Sequence, residues 1–139
     1  MSSEPEQLGW LVKRLQHRHH RVLDENLTPL GVSLVQWNAL REIDRNPGAP
    51  QRRLAQCTFN SDQAFGTLVA RLLQRRLVER RAGVGRAIVH RLTPRGRALL
   101  RRGQKVMSQV TRASFAPLTG SERDQLERLL TKVLDDPGS

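Results

Sequence analysis

The sequence holds one cysteine, no apolar run longer than three residues, and a hydrophobic fraction of 37% over 139 residues. A single cysteine excludes an intrachain disulfide framework and any metal knuckle built from several thiolates. The longest apolar runs, such as Trp10–Val12 and Ala98–Leu100, fall far short of the roughly 20 residues a spanning helix needs. Met1 to Gln7 contains no basic stretch followed by an apolar one, so no secretory signal is readable and no membrane partner is expected. There is no Ser/His/Asp arrangement, no phosphate-cradling glycine loop and no pair of acids at useful spacing, which argues against an enzyme and against a cofactor. The apolar fraction is below the roughly 45–50% of an average globular chain. That is thin for a lone subunit and adequate for a core shared with a second copy. The length fits a single domain over 1–139.

What the chain has in excess is arginine, in one place. Residues 1–46 carry six basic and six acidic side chains, and residues 104–139 carry five of each. The segment 47–103 holds thirteen Arg against only Asp62 and Glu79, and so the whole net charge of +11. A basic centre between neutral flanks suits a polyanion, because fixed cations displace counterions condensed on phosphate.

The apolar spacing predicts the elements. Leu8, Leu11, Val12, Leu15, His19, Val22 and Leu23 form one helical stripe ending near Leu27, before Thr28-Pro29. Ser33-Leu34-Val35-Gln36 is a capping box that opens a second helix with Trp37, Leu40 and Ile43 inward, ended by Asn46-Pro47-Gly48. A short helix over Gln51–Cys57 places Leu54 and Ala55 inward, and a turn follows at Thr58–Asn60. A fourth helix starts at Ser61 or Asp62, reaches Gln74 or Arg75, and buries Phe65, Leu68, Val69 and Leu72. Two extended runs, Leu77–Arg81 and Ala87–Leu92, are joined through Gly83 and Gly85, which supply the positive φ of a tight hairpin. Thr93-Pro94 caps a fifth helix that carries Leu99, Gly103, Val106, Met107, Val110 and Ala113 or Ser114 inward. A second capping box, Thr119 to Glu122, opens a last helix with the stripe Leu126, Leu129, Leu130, Val133 and Leu134.

This order gives a mainly α fold with a small β-hairpin wing: a winged helix-turn-helix core flanked by N- and C-terminal dimerisation helices. In such a module the helix after the turn enters the major groove, where its first residues reach base edges. Those residues are Ser61, Asp62, Gln63, Gly66 and Thr67, with Arg71 further along. Gln pairs two-pronged with adenine, and Ser or Thr bonds either kind of edge. Gly66 lacks a side chain and would allow close approach to the groove. Asp62 suits the helix N-terminus or a cytosine. Arg86 at the hairpin tip, with Arg80, Arg81 and Arg91 around it, is placed to enter a narrow minor groove. The expected partner is double-stranded DNA, and the expected location is cytoplasmic and nucleoid-associated.

The stretch Leu30-Gly31-Val32-Ser33-Leu34-Val35-Gln36-Trp37, then Arg53-Leu54-Ala55, Leu77-Val78-Glu79-Arg80 and Leu92-Thr93-Pro94-Arg95-Gly96 resembles the MarR family of transcriptional regulators. The match keeps order and gaps over roughly residues 8–134. The resemblance implies a homodimer in which first and last helices interleave, over about 8–28 and 94–134, around a winged helix-turn-helix at about 33–93. It implies a regulator, here expected to be a repressor, of a pseudo-palindromic operator, often released by a small anionic or phenolic effector or by oxidation. Leu8, Leu11, Leu15, His19, Leu126, Leu129, Leu130 and Val133 are the expected dimerisation residues. Four positions depart from the family pattern: Val84 stands where its wing carries Asp, Arg76 where Gly is frequent, and Ala64 and Gly66 where Thr is common. The operator therefore does not transfer from relatives.

Two features admit other chemistry. Cys57, near Arg52 and Arg53, is a candidate redox sensor, although a lone cysteine is more often a small core residue. His17, His19 and His20 sit on one helix, but His19 lies on the apolar stripe and His17 opposite, so no shared metal site is expected. His19 is better read as lining an interface or pocket that protonation would make pH-sensitive. Beside the DNA-binding regulator stand a sequence-indifferent architectural protein, which would explain the charge alone, and a regulator acting through Cys57.

Overall fold

Pro5, whose fixed φ and missing N–H suit a first helical turn, opens α1 (Pro5–Leu27) in the computed structural model, which describes residues 4–85 and 88–135. A 3-10 turn at Thr28–Leu30 and Gly31 at φ +81° then redirect the chain. The expected capping box opens α2 (Leu34–Arg45): Gln36 N–H donates to Ser33 Oγ at 3.1 Å, and Ser33 N–H donates to Gln36 Oε1 at 3.2 Å. Leu34 N–H also donates to Asp24 Oδ1 at 2.8 Å, stitching the end of α1 to the start of α2. α3 (Gln51–Cys57) and α4 (Asp62–Gln74) follow, and Ser61 caps α4 by accepting from Ala64 N–H at 3.1 Å.

β1 (Val78–Ala82) pairs antiparallel with β2 (Ile88–Leu92), Val78 facing Leu92 and Arg80 facing His90. Leu77, expected to begin the first strand, instead finishes the turn out of α4: its N–H donates to Leu72 O at 3.0 Å and its carbonyl accepts from Thr93 N–H at 3.1 Å. Ala87, expected in the second strand, lies outside the described residues. Of the two turn glycines, Gly85 has a positive φ, +70°, and Gly83 does not. Thr93 then caps α5 (Pro94–Phe115), and the Thr119–Glu122 box opens α6 (Gly120–Leu134) with bonds of 3.1 and 2.9 Å.

The core is one cluster under the helix-turn-helix, with Leu27, Trp37, Leu40, Ile43, Leu54, Phe65, Leu72 and Leu77 fully buried. Each such side chain contributes about 1.5–3 kcal/mol relative to exposure. Val69 is buried, but Leu68, expected beside it, is only half-buried. α5 crosses this core at Gly103, where a Cβ would collide with the Trp37 indole, whose N–H donates to Leu100 O at 3.2 Å. Gly96 likewise lets the start of α5 lie on the Leu77 carbonyl. The flanking helices behave differently. α1 buries only Leu23 and Leu27, and α6 buries none of its residues. The stripes on both are complete in sequence and open within the subunit.

Candidate nucleic-acid interface

On α4 the polar residues form a row. Ser61, Gln63, Thr67 and Arg71 line one shallow face together with Ala64 and Leu68, and all four polar side chains are exposed. The steps of four residues from 63 to 67 to 71 keep them on one side of the helix. Ser61 Oγ accepts the capping bond, which leaves its own proton to donate outward. Thr67 Oγ1 donates to Gln63 O at 3.2 Å, while the Gln63 amide has no partner among the described residues. Asp62 and Gly66 lie off this row. At Gly66 a Cβ would meet Gln51 Nε2 at 3.1 Å, the end of a side chain on α3.

Both ends of the turn-and-helix unit hold unusual backbone. Phe59, in the turn before α4, has φ +59° and is 97% exposed. Arg76, just past α4, also has φ +59°. Its N–H donates to Leu73 O at 3.0 Å, its carbonyl accepts from Thr93 Oγ1 at 2.7 Å, and the Leu77 bond described above completes a Schellman closure. Arg75 beside it donates to Gln36 Oε1 at 3.1 Å and to the Gly31 carbonyl. One guanidinium thus ties the end of α4 to the cap of α2 and to the connection leaving α1. None of this was visible in apolar spacing. Only the Arg at position 76 signalled it.

The wing has two unlike faces. Val78, Arg80, His90 and Leu92 share the side toward the core, where Val78, His90 and Leu92 are buried and Arg80 is exposed. His90 is 7% exposed, and its Nδ1 has no hydrogen-bond partner among the described residues. Burial first, and then the positive charge of Arg80, hold its imidazole below the usual histidine range. On the other face Glu79 accepts from Arg91 Nε at 2.8 Å and from Arg81 Nη2 at 3.3 Å. The Arg91 hydrogen bond, followed by that from Arg81, holds the Glu79 carboxyl below the usual carboxylate range. Val84, near the tip, is almost fully exposed, and Arg86 lies outside the described residues.

Away from this surface a groove of about 580 Å³ runs between α1, α5 and α6. It brings together Leu8, Leu11, Leu15, His19, Leu126 and Leu130 with Met107 and Phe115. Leu129 and Val133 are exposed on α6 outside its lining. His19 shares a 2.5 Å hydrogen bond between Nε2 and Ser114 Oγ and sets its ring edge-on to Phe115, centroids 5.4 Å apart. Burial, followed by the Arg18 charge, lowers its pKa. Cys57 is half-buried at the end of α3, and among the described residues no group of His, Cys, Asp and Glu is arranged to hold a metal ion. No described helix is long and apolar enough to cross a membrane.

Residues 30–87 match a sequence model described as the MarR family. The HTH-type transcriptional repressor Rv2887 of Mycobacterium tuberculosis is 31% identical over 131 residues, 93% of this chain and 94% of the relative. The chain belongs to the MarR family. Crystal structures extend the MarR likeness to three dimensions. Rv2887 in complex with p-aminosalicylic acid superposes with a TM-score of 0.77 at 31% identity, covering 91% of this chain and 97% of that one. A mutant MarR from E. coli complexed with operator DNA gives 0.82 at 26% identity, covering 92% and 94%. Within the MarR pattern, the departure at Arg76 now has a conformation: it is a left-handed residue where glycine would be free of strain.

Proposed function

We infer that the chain is a homodimeric, sequence-specific double-stranded DNA-binding transcriptional repressor that reads a pseudo-palindromic operator through α4 and the wing. The observation that carries this reading is the exposed row Ser61, Gln63, Thr67 and Arg71, set in the segment that holds the entire +11 charge. Gln63 is assigned to direct readout, Ser61 to a donor contact, Thr67 to an acceptor contact, and Arg71 and Arg80 to backbone phosphate. Arg86, outside the described residues, keeps its sequence-based assignment to the minor groove. α1 and α6 are assigned to the dimer, with Leu8, Leu11, Leu15, Leu126, Leu129, Leu130 and Val133 covered by the second subunit. The structures of Rv2887 with DNA and with salicylic acid support both a nucleic-acid partner and relief by a small aromatic anion. The His19 groove is a chemically suitable place for such an effector. A repressor of this kind is no enzyme and works in the cytoplasm, on the nucleoid.

The test is selection of duplexes from the source genome, followed by titration of the winning duplex against a scrambled one over a range of salt. Specific binding should exceed scrambled binding by about 10³-fold or more. Equal affinities would reduce the protein to a sequence-indifferent architectural binder. Within the selected site, Gln63→Ala should relax preference at one base pair per half-site by roughly 1–3 kcal/mol. An unchanged preference removes Gln63 from the readout.

A further inference from the structure

Only two carboxylates lie within the basic segment. Asp62 is explained locally, since it sits in the first turn of α4 where a negative charge complements the helix dipole. Glu79 has no such reason. A carboxylate near a phosphate opposes binding through like-charge repulsion. Its geometry supplies a reason. It sits on the outward face of β1, and the antiparallel register sets Arg91 directly opposite on β2, with Arg81 two residues along β1 on the same face. It contacts Arg91 through Nε and Arg81 through a single terminal nitrogen. The terminal nitrogens of Arg91 have no partner among the described residues. A guanidinium held at Nε has its plane fixed and its outer edge open, which is the edge that takes a phosphate in a two-pronged contact.

We propose that Glu79 is a positioning residue that presents Arg91, with Arg81 beside it, as a preset fork for one DNA backbone phosphate at the base of the wing. This rests on the DNA-binding reading and adds to it a contact from the outward face of the hairpin, distinct from its tip. Glu79 touches no DNA itself. It acts by fixing a long, flexible side chain before the encounter, so that less rotamer freedom is lost on binding. Exposed pairs of this kind contribute little to folding. The depressed pKa of Glu79 agrees with a carboxylate kept ionised by its two partners.

The experiment compares wild type, Glu79→Gln, Arg91→Ala and the double variant on the selected duplex and a scrambled duplex, across a salt series, with melting curves alongside. Arg91→Ala should weaken both duplexes and lower the salt slope by about one phosphate contact. Glu79→Gln removes a negative charge, so charge alone would tighten both duplexes. Positioning instead requires weaker binding to both duplexes, by about tenfold on the selected one, with little change in melting temperature, because the phosphate contact is common to both. In the Arg91→Ala background, Glu79→Gln should cause no further loss. Equal tightening on both duplexes, or the same loss with and without Arg91, would overturn the positioning role while leaving the repressor reading intact. A wild-type chain that binds neither duplex would overturn both.

Discussion

Arg76 carries a full side chain at φ +59°, where its Cβ crowds the backbone and only glycine is free of the penalty. The surrounding bonds hold it there: the closure through Leu72 and Leu73 behind it and the Thr93 hydroxyl on its carbonyl. Arg76→Gly relieves a strain of about 1–2 kcal/mol, offset in part by the greater freedom of glycine in the unfolded chain. A net gain of about 1 kcal/mol in stability is expected. It should appear as a higher denaturation midpoint at unchanged slope. An unchanged or lower midpoint would mean that the guanidinium makes a compensating contact. Gly103 shows the opposite case, a position where the absence of a side chain is what the packing uses. Its neighbour across the contact is Trp37, more than sixty residues away in the chain. The sequence shows the glycine on the inner stripe of a helix, but not that an indole fills the space above it.

At the scale of elements, the boundaries were legible where the signals were local. Ser33 with Gln36, Thr93 with Pro94 and Thr119 with Glu122 all cap as their spacing requires. Bonds set by register or by the meeting of distant helices were not legible. Glu79 finds Arg91 only once the hairpin is aligned, and Arg75 finds Gln36 only once α4 docks on α2. The exposed polar face of α4, Gln63, Thr67 and Arg71, was legible from steps of four residues, whereas the nearness of Gln51 to Gly66 was not. The wing adds a pH dependence. Buried His90, facing Arg80 across the hairpin, binds its proton less readily when folded than the ordinary value of 6.5. Between the lowered and the ordinary value the unfolded chain holds more protons, so stability rises with pH there and is lost as the pH falls. The wild-type melting temperature should drop between about pH 7.5 and pH 5.5. His90→Gln should flatten part of that slope and His19→Gln a further part, because His19 is shifted the same way. A slope unaltered by both substitutions would place the acid sensitivity elsewhere.

The whole molecule separates its charge along the chain, with neutral ends whose first and last helices carry open apolar stripes and a charged centre, while the core is shared between residues 23–43 and 54–99. Because α6 buries nothing within the subunit, a chain ended before Thr119 should keep the central fold and its melting transition. It should nonetheless sediment as a monomer, and a truncated chain that remains dimeric would contradict the assignment of α6. The link between the charged centre and the open stripes is α5. It begins where the wing ends, at Pro94, and runs unbroken for 22 residues to Phe115, beside His19. At 1.5 Å per residue it is a rod of about 33 Å. A rod of that length is a lever arm. Tilting it by about 6° about its dimer end swings the wing end by about 3.4 Å, one base-pair step along a strand. A small angular change at the groove between α1, α5 and α6 would become a displacement of about one base-pair step at the wing.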